Sequence, residues 1–84
     1  MDDIKEAFED AIFKVDALGK QPNDVMLKLY GLFKQSRLGD VTGDRPSVMD
    51  LRGRAKFDAW AARKGLSREE AMQTYIEYAE ELAG

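Results

Sequence analysis

The sequence predicts an all-α chain, most simply a four-helix bundle. Three observations carry this. Apolar residues recur at helical spacing in four separate stretches. Glycine, proline and aspartate clusters divide those stretches. No run keeps the every-second-residue alternation of a half-buried strand. With 84 residues, a single domain over 1–84 is expected. A chain of this length buries only about 60–65% of its unfolded surface, so a ligand is expected in a surface groove rather than a large internal cavity.

The first helix is expected from about Asp3 to Leu18, with Ile4, Phe8, Ala11, Ile12, Val15 and Leu18 on its inner face. Asp3 and Glu6 read as a capping pair, and Gly19 as the stop. The second follows "QPND", with Asn23 as N-cap and Val25, Met26, Leu29, Leu32 and Phe33 as a wide apolar face. Gly39 ends it. Tyr30 and Lys34, four apart, share one edge of that face. Gly31 sits between them, where glycine costs about 1 kcal/mol against alanine.

Residues 39–50, "GDVTGDRPSVMD", read as a loop. It is long for a bundle connection, and its acidic spacing does not fit a calcium loop. The third helix is expected over about Leu51 to Lys64, stopped by Gly65, with Gly53 breaking its first turn. Ala55, Phe57, Ala59, Trp60 and Ala61 form its apolar side. The fourth opens on Ser67 and Glu70, a capping box, and buries Ala71, Met72, Tyr75, Ile76, Ala79 and Leu82.

Composition excludes several chemistries. There is no cysteine and no histidine, hence no disulfide, no thiol nucleophile, no usual general base and no usual transition-metal ligand. The longest uncharged run, residues 71–76, is far short of a membrane span, and the acidic N-terminus is unlike a signal peptide. A soluble, cytoplasmic protein is the expectation. The paired carboxylates, Glu6 with Asp10 and Glu77 with Glu80 and Glu81, fall on polar helix faces and read as solvated. Ser36, Ser47 and Ser67 have no histidine to activate them. No phosphate-loop or dinucleotide glycine pattern occurs. No catalytic residue, metal site or cofactor is expected.

Charge is unevenly placed. Residues 1–27 carry a net −4, residues 28–64 a net +5 and residues 65–84 a net −4. Oppositely charged helices attracting one another would account for this; so would a local anion site. Tyr30, Lys34, Arg52, Lys56 and Tyr75 are the residues of interest. Singly, each reads as an ordinary rim tyrosine or a cation lying over core. Together, from helices two, three and four, their hydroxyls and cations suit phosphate oxygens.

Residues 26–76 carry a family resemblance. Tyr30 to Gln35, Gly39-Asp40, Arg45-Pro46, Gly53, Ala55-Lys56, Asp58-Ala59-Trp60, Lys64-Gly65, Ser67, Ala71-Met72 and Tyr75-Ile76 follow one another in the order and spacing of the acyl-CoA-binding protein family. The resemblance implies an up-down-down-up four-helix bundle that binds, buffers and transports medium- to long-chain fatty acyl-CoA without cleaving it. It also implies that the ligand contacts are Tyr30, Lys34, Arg52, Lys56 and Tyr75. Tyr30, Lys34 and Lys56 would hold the 3′-phosphorylated adenosine end, and Tyr75 would touch the rest of CoA. Met26, Leu27 and Phe33 are further candidates. Three positions depart from the pattern. Asp16 and Gln21 stand where basic residues are common, and Phe57 where tryptophan is frequent. A lost phosphate contact is worth about 1.5–3 kcal/mol.

Other readings have distinct signatures. A helical protein–protein interaction module would depend on apolar groove residues rather than lysines. An acyl-CoA-processing enzyme would release CoA. A nucleic-acid binder is favoured only by the local +5 and opposed by the net charge of −3. A monomer with a small-molecule ligand, and no nucleic acid or membrane insertion, is the expected state.

Overall fold

The computed structural model describes residues 3–84. Four helices follow in order: α1 (Asp3–Leu18), α2 (Asn23–Leu38), α3 (Leu51–Ala61) and α4 (Arg68–Ala83). Side-chain contacts fix their directions. Lys5 and Phe8 of α1 meet Arg68 and Met72 of α4, so α1 and α4 run in parallel. Gln35 and Ser36 of α2 bond to Leu66 and Arg68 at the start of α4, whereas Lys28 lies over the Tyr78 ring near its end. Those two are antiparallel. Lys34 of α2 lies by Trp60 of α3, while Met26 and Leu27 face Ala55, so α2 and α3 are parallel. The result is the up-down-down-up order.

A parallel pair needs a long return. α2 rises about 24 Å over its sixteen residues. Extended chain covers about 3.3–3.6 Å per residue, so residues 39–50 span that length with room for a turn at Ser47–Asp50. The crossover is pinned along its course. Trp60 Nε1 donates to Gly39 O (2.8 Å), Arg45 holds Asp58 through two hydrogen bonds (3.0 and 2.7 Å), and Arg54 Nε donates to Pro46 O (2.8 Å). Asp40 Oδ1 accepts from the Gly65 backbone N–H and from Gln35 Nε2, both at 2.9 Å. Gln35 is fully buried, and its Nε2 also donates to Leu66 O.

The core lies in the α1–α2–α4 layer: Phe8, Ala11, Val15, Leu29, Leu32, Met72, Tyr75 and Ala79. Phe8 stacks with Phe33 and meets Tyr75 edge-on. The backbone of α3 packs only on α2. The fit there depends on Gly31, where a Cβ would overlap the Ala59 carbonyl. The glycine in the middle of α2 thus serves close helix approach.

Several expectations need correction. Asn23 is already helical and Pro22 is the N-cap residue, with no side-chain cap bond. Asp3 likewise lies inside its helix, so Asp3 and Glu6 act as first-turn charges against the helix dipole. α3 ends at Ala61, and i→i−3 bonds tighten the turn through Lys64. Gly53 does not break α3. Its N–H donates to Asp50, which caps the helix, and a Cβ at Gly53 would overlap that carboxylate. Leu18, the last residue of α1, and Met26, which lines the open space between α2 and α3, are exposed. The residues of interest on helices two, three and four do not share one neighbourhood, because α2 packs on both α3 and α4 while the backbones of α3 and α4 do not approach each other. The Ser67–Glu70 capping box forms in full, and Gly39 caps α2 with φ 80°.

Two stability predictions follow from these contacts. In Gly31→Ala, about 1 kcal/mol gained in helix propensity is opposed by about 1–3 kcal/mol of overpacking against backbone that cannot swing aside. Urea denaturation should show a net loss; unchanged or increased stability would contradict the close approach. The second concerns acid. Hydrogen bonds from Gly65 N–H and then Gln35 hold Asp40 below its ordinary 3.8, and Arg45 does the same for Asp58. Their folded-state values are depressed, so their stabilisation is present above 3.8 and lost as pH falls through the native values. Asp40→Asn should therefore melt lower than wild type at neutral pH, with the gap closing in acid. A gap independent of pH would contradict the linkage.

Candidate functional site

The N-terminal halves of α2 and α3 face each other. Between them lies an open cleft of about 470 Å³. Met26 and Leu27 of α2 and Leu51 and Ala55 of α3 give it apolar walls. Lys20, Gln21 and Asn23 close one side, and Arg52 and Lys56 supply cations from α3. One turn further along, two ammonium groups lie near the Tyr30 ring. Lys56 Nζ is 5.3 Å and Lys34 Nζ 6.0 Å from its centroid. Lys34 Nζ is also 4.9 Å from the Trp60 ring.

The local structure explains this grouping. Tyr30 and Lys34 share the α2 face that carries Gly31, and the close α2–α3 approach brings Lys56 across to the Tyr30 ring. Trp60, fixed by its bond to Gly39 O, presents its ring to Lys34. Aromatic faces attract these cations without neutralising them. Among the described residues, no carboxylate lies within ion-pair distance of Lys20, Lys34, Arg52 or Lys56; the one ion pair there is Arg45–Asp58. Such an arrangement holds positive charge ready for an anion beside an apolar slot.

Of the residues singled out from sequence, the structure brings together Tyr30, Lys34 and Lys56, with Met26, Leu27 and Arg52 in the adjoining cleft. Tyr75 and Phe33 stand elsewhere. Tyr75 is 4% exposed against Phe8, and burial, then the charge of Asp16, pushes its phenol pKa up. Phe33 is half-buried between Phe8 and Arg37. Lys20, Leu51, Ala55 and Trp60 complete the surroundings and were not singled out as site residues. Lys20 had a signal: it precedes Gln21, so a cation stands one position from the expected one and lines the same cleft. Among the described residues, no group of three or more His, Cys, Asp or Glu side chains is placed to hold a metal. No helix there is long and apolar enough to cross a membrane.

Comparisons with known proteins identify the family and the fold. The family model described as acyl CoA binding protein matches residues 5–79. The chain is 47% identical over 77 residues to acyl-CoA-binding protein homolog 1 of Caenorhabditis elegans, covering 90% of each chain. It is 45% identical over 80 residues to the acyl-CoA-binding protein homolog of Drosophila melanogaster, covering 94% of this chain and 93% of that one. The crystal structure of Oryza sativa acyl-CoA-binding protein 2 superposes with a TM-score of 0.89 at 42% identity, over 94% of this chain and 89% of that chain.

Trp60 is the only tryptophan, and an ammonium group lies on its ring. Removing that charge in Lys34→Met should shift its fluorescence while stability stays within about 0.5 kcal/mol, as for a surface position. An unchanged emission spectrum would contradict the Lys34–Trp60 contact.

Proposed function

The chain belongs to the acyl-CoA-binding protein family, and from that premise we propose that it binds medium- to long-chain fatty acyl-CoA esters. It carries and buffers them in the cytoplasm as a monomer, using one domain over residues 1–84, and does not cleave them. The observation that carries this reading is the juxtaposition of unpaired cations around Tyr30 with an apolar cleft. An acyl-CoA has the same two parts, a polyanionic head and a hydrocarbon tail.

The phosphorylated adenosine end is assigned to Tyr30, Lys34 and Lys56. Both ammonium groups donate to phosphate oxygens, and the phenol adds a neutral donor. Lys20 and Arg52 extend the positive field at the cleft mouth. The tail is assigned to Met26, Leu27, Leu51 and Ala55. Phe33 and Tyr75 are assigned to the remainder of CoA on the resemblance alone. Retention of the thioester is consistent with a chain that has no histidine or cysteine to attack it. The interaction-module reading has no comparable support, because the matching family and relatives are described as acyl-CoA-binding.

The head term should weaken with salt. The tail term should grow by up to about 0.8 kcal/mol per methylene. Two added carbons should therefore tighten binding by up to about 15-fold until the cleft is filled. Calorimetric titration with an acyl-CoA series tests this. Affinity rising with chain length in wild type, and falling at every length in Lys34→Ala and Lys56→Ala, is expected. Affinity independent of chain length would remove the tail assignment; lysine variants that bind like wild type would remove the head assignment.

A further inference from the structure

A second cavity, of about 210 Å³, opens where α1, the end of α2 and the start of α4 meet. Each helix brings one cation to it: Lys5 from α1, Arg37 from α2 and Arg68 from α4. Phe8 and Met72 are buried core residues and form its inner wall. It shares no lining residue with the cleft between α2 and α3.

Like charges gathered from three helices repel one another, at a cost to the folded state. Among the described residues, none of the three has a carboxylate within ion-pair distance. That includes Glu9, the one acid lining the cavity, so three cations against one carboxylate leave a net +2. Both guanidinium groups are held in place without being neutralised. Arg68 Nε donates to Ser36 O (3.2 Å), and Ser36 is fully buried. Arg37 lies over the Phe33 ring, 5.4 Å from its centroid. The two terminal nitrogens of Arg68 have no acceptor among the described residues.

A guanidinium fork matches phosphate oxygens in pairs, and a tethered fork loses less freedom on binding. The cavity lies below the range of about 300–1,000 Å³ that holds drug-sized ligands. It therefore takes one charged group on a short organic stem, and three cations favour a dianion over a single carboxylate. We propose that this cavity is a second ligand site, for a small phosphomonoester. Arg68 and Arg37 grip the phosphate oxygens, Lys5 adds a third donor, and the stem lies against Phe8 and Met72. The bound anion joins three helices whose charges otherwise repel. Neither the residues nor the ligand are those of the acyl-CoA reading, so the proposal stands apart from it.

NMR titration of the full chain with glycerol 3-phosphate, against glycerol and succinate, tests the proposal. Saturable shifts of the Lys5, Arg37 and Arg68 amides are expected with the phosphate ester. A rise in melting temperature should accompany them, and both should diminish with salt. Arg37→Gln and Arg68→Gln should each weaken binding by about tenfold or more. Lys34→Ala and Lys56→Ala, on the other seam, should leave this affinity within about twofold. If Arg68→Gln loses helix content, Arg37→Gln, at an exposed position, carries the test. No saturable shift, equal binding of succinate, or wild-type affinity in the arginine variants would overturn the proposal. So would shifts that centre on Tyr30 and vanish in the lysine variants, because the phosphate would then occupy the α2–α3 seam. Titration with hexadecanoyl-CoA separates the two readings. A chain that binds the ester but not the phosphate loses this site alone; one that binds the phosphate at the three cations but not the ester loses only the acyl-CoA assignment.

Discussion

The distance between α2 and α3 is the constraint on which the site depends, and Gly31 sets it. A side chain there would meet the Ala59 carbonyl. Without that close approach, Lys56 would not reach the Tyr30 ring, and Trp60 would not lie beside Lys34. The helix-propensity cost of the glycine is small, about 1 kcal/mol. It is borne on the one face of α2 that does not contribute to the main core. Leu29 and Leu32 pack toward α1 and α4, while Tyr30, Gly31 and Lys34 turn to α3.

This division separates stability from binding. The α1–α2–α4 layer holds the apolar core, with aromatic contacts joining Phe8 to Phe33 and Tyr75. α3 is attached to that layer through α2, the Trp60–Gly39 bond and the crossover. Its inner surface is therefore available to build a cleft. The crossover is as much a consequence of the parallel α2–α3 pair as a feature of its own. Its polar anchors, Asp40 on Gly65 and Arg45 on Asp58, keep α3 level with α2 so that their N-terminal halves face each other. An amphiphile fits such a cleft because charge and apolar surface adjoin without being paired within the protein.

Much of the fold could be read in the sequence. The stripes of α1, α2 and α4 come from long apolar repeats, and the Ser67–Glu70 box and Gly39 mark ends by local chemistry that neighbours do not change. α3 was less readable. Only Trp60 on it is buried, so its apolar residues do not define a single inner face. Asp50 as its cap was hidden among three aspartates of the loop, although the glycine three residues on was the clue. Tyr30, Lys34 and Lys56 could be grouped because the i, i+4 spacing on α2 is local and the cationic middle of the chain points to Lys56. Lys20 was missed because its place depends on the geometry of the α1–α2 turn, which no periodicity encodes. Tyr75 carried two readings in the sequence, a core position on the α4 stripe and a hydroxyl donor, and its ring lies in the core.

The most direct test is a structure of the chain with hexadecanoyl-CoA bound. Phosphate oxygens within hydrogen-bond reach of Lys34 and Lys56, with the tail against Met26, Leu27 and Ala55, is the predicted result. A ligand lying elsewhere, with both lysines still in water, would contradict the assignment of the α2–α3 seam as the binding site.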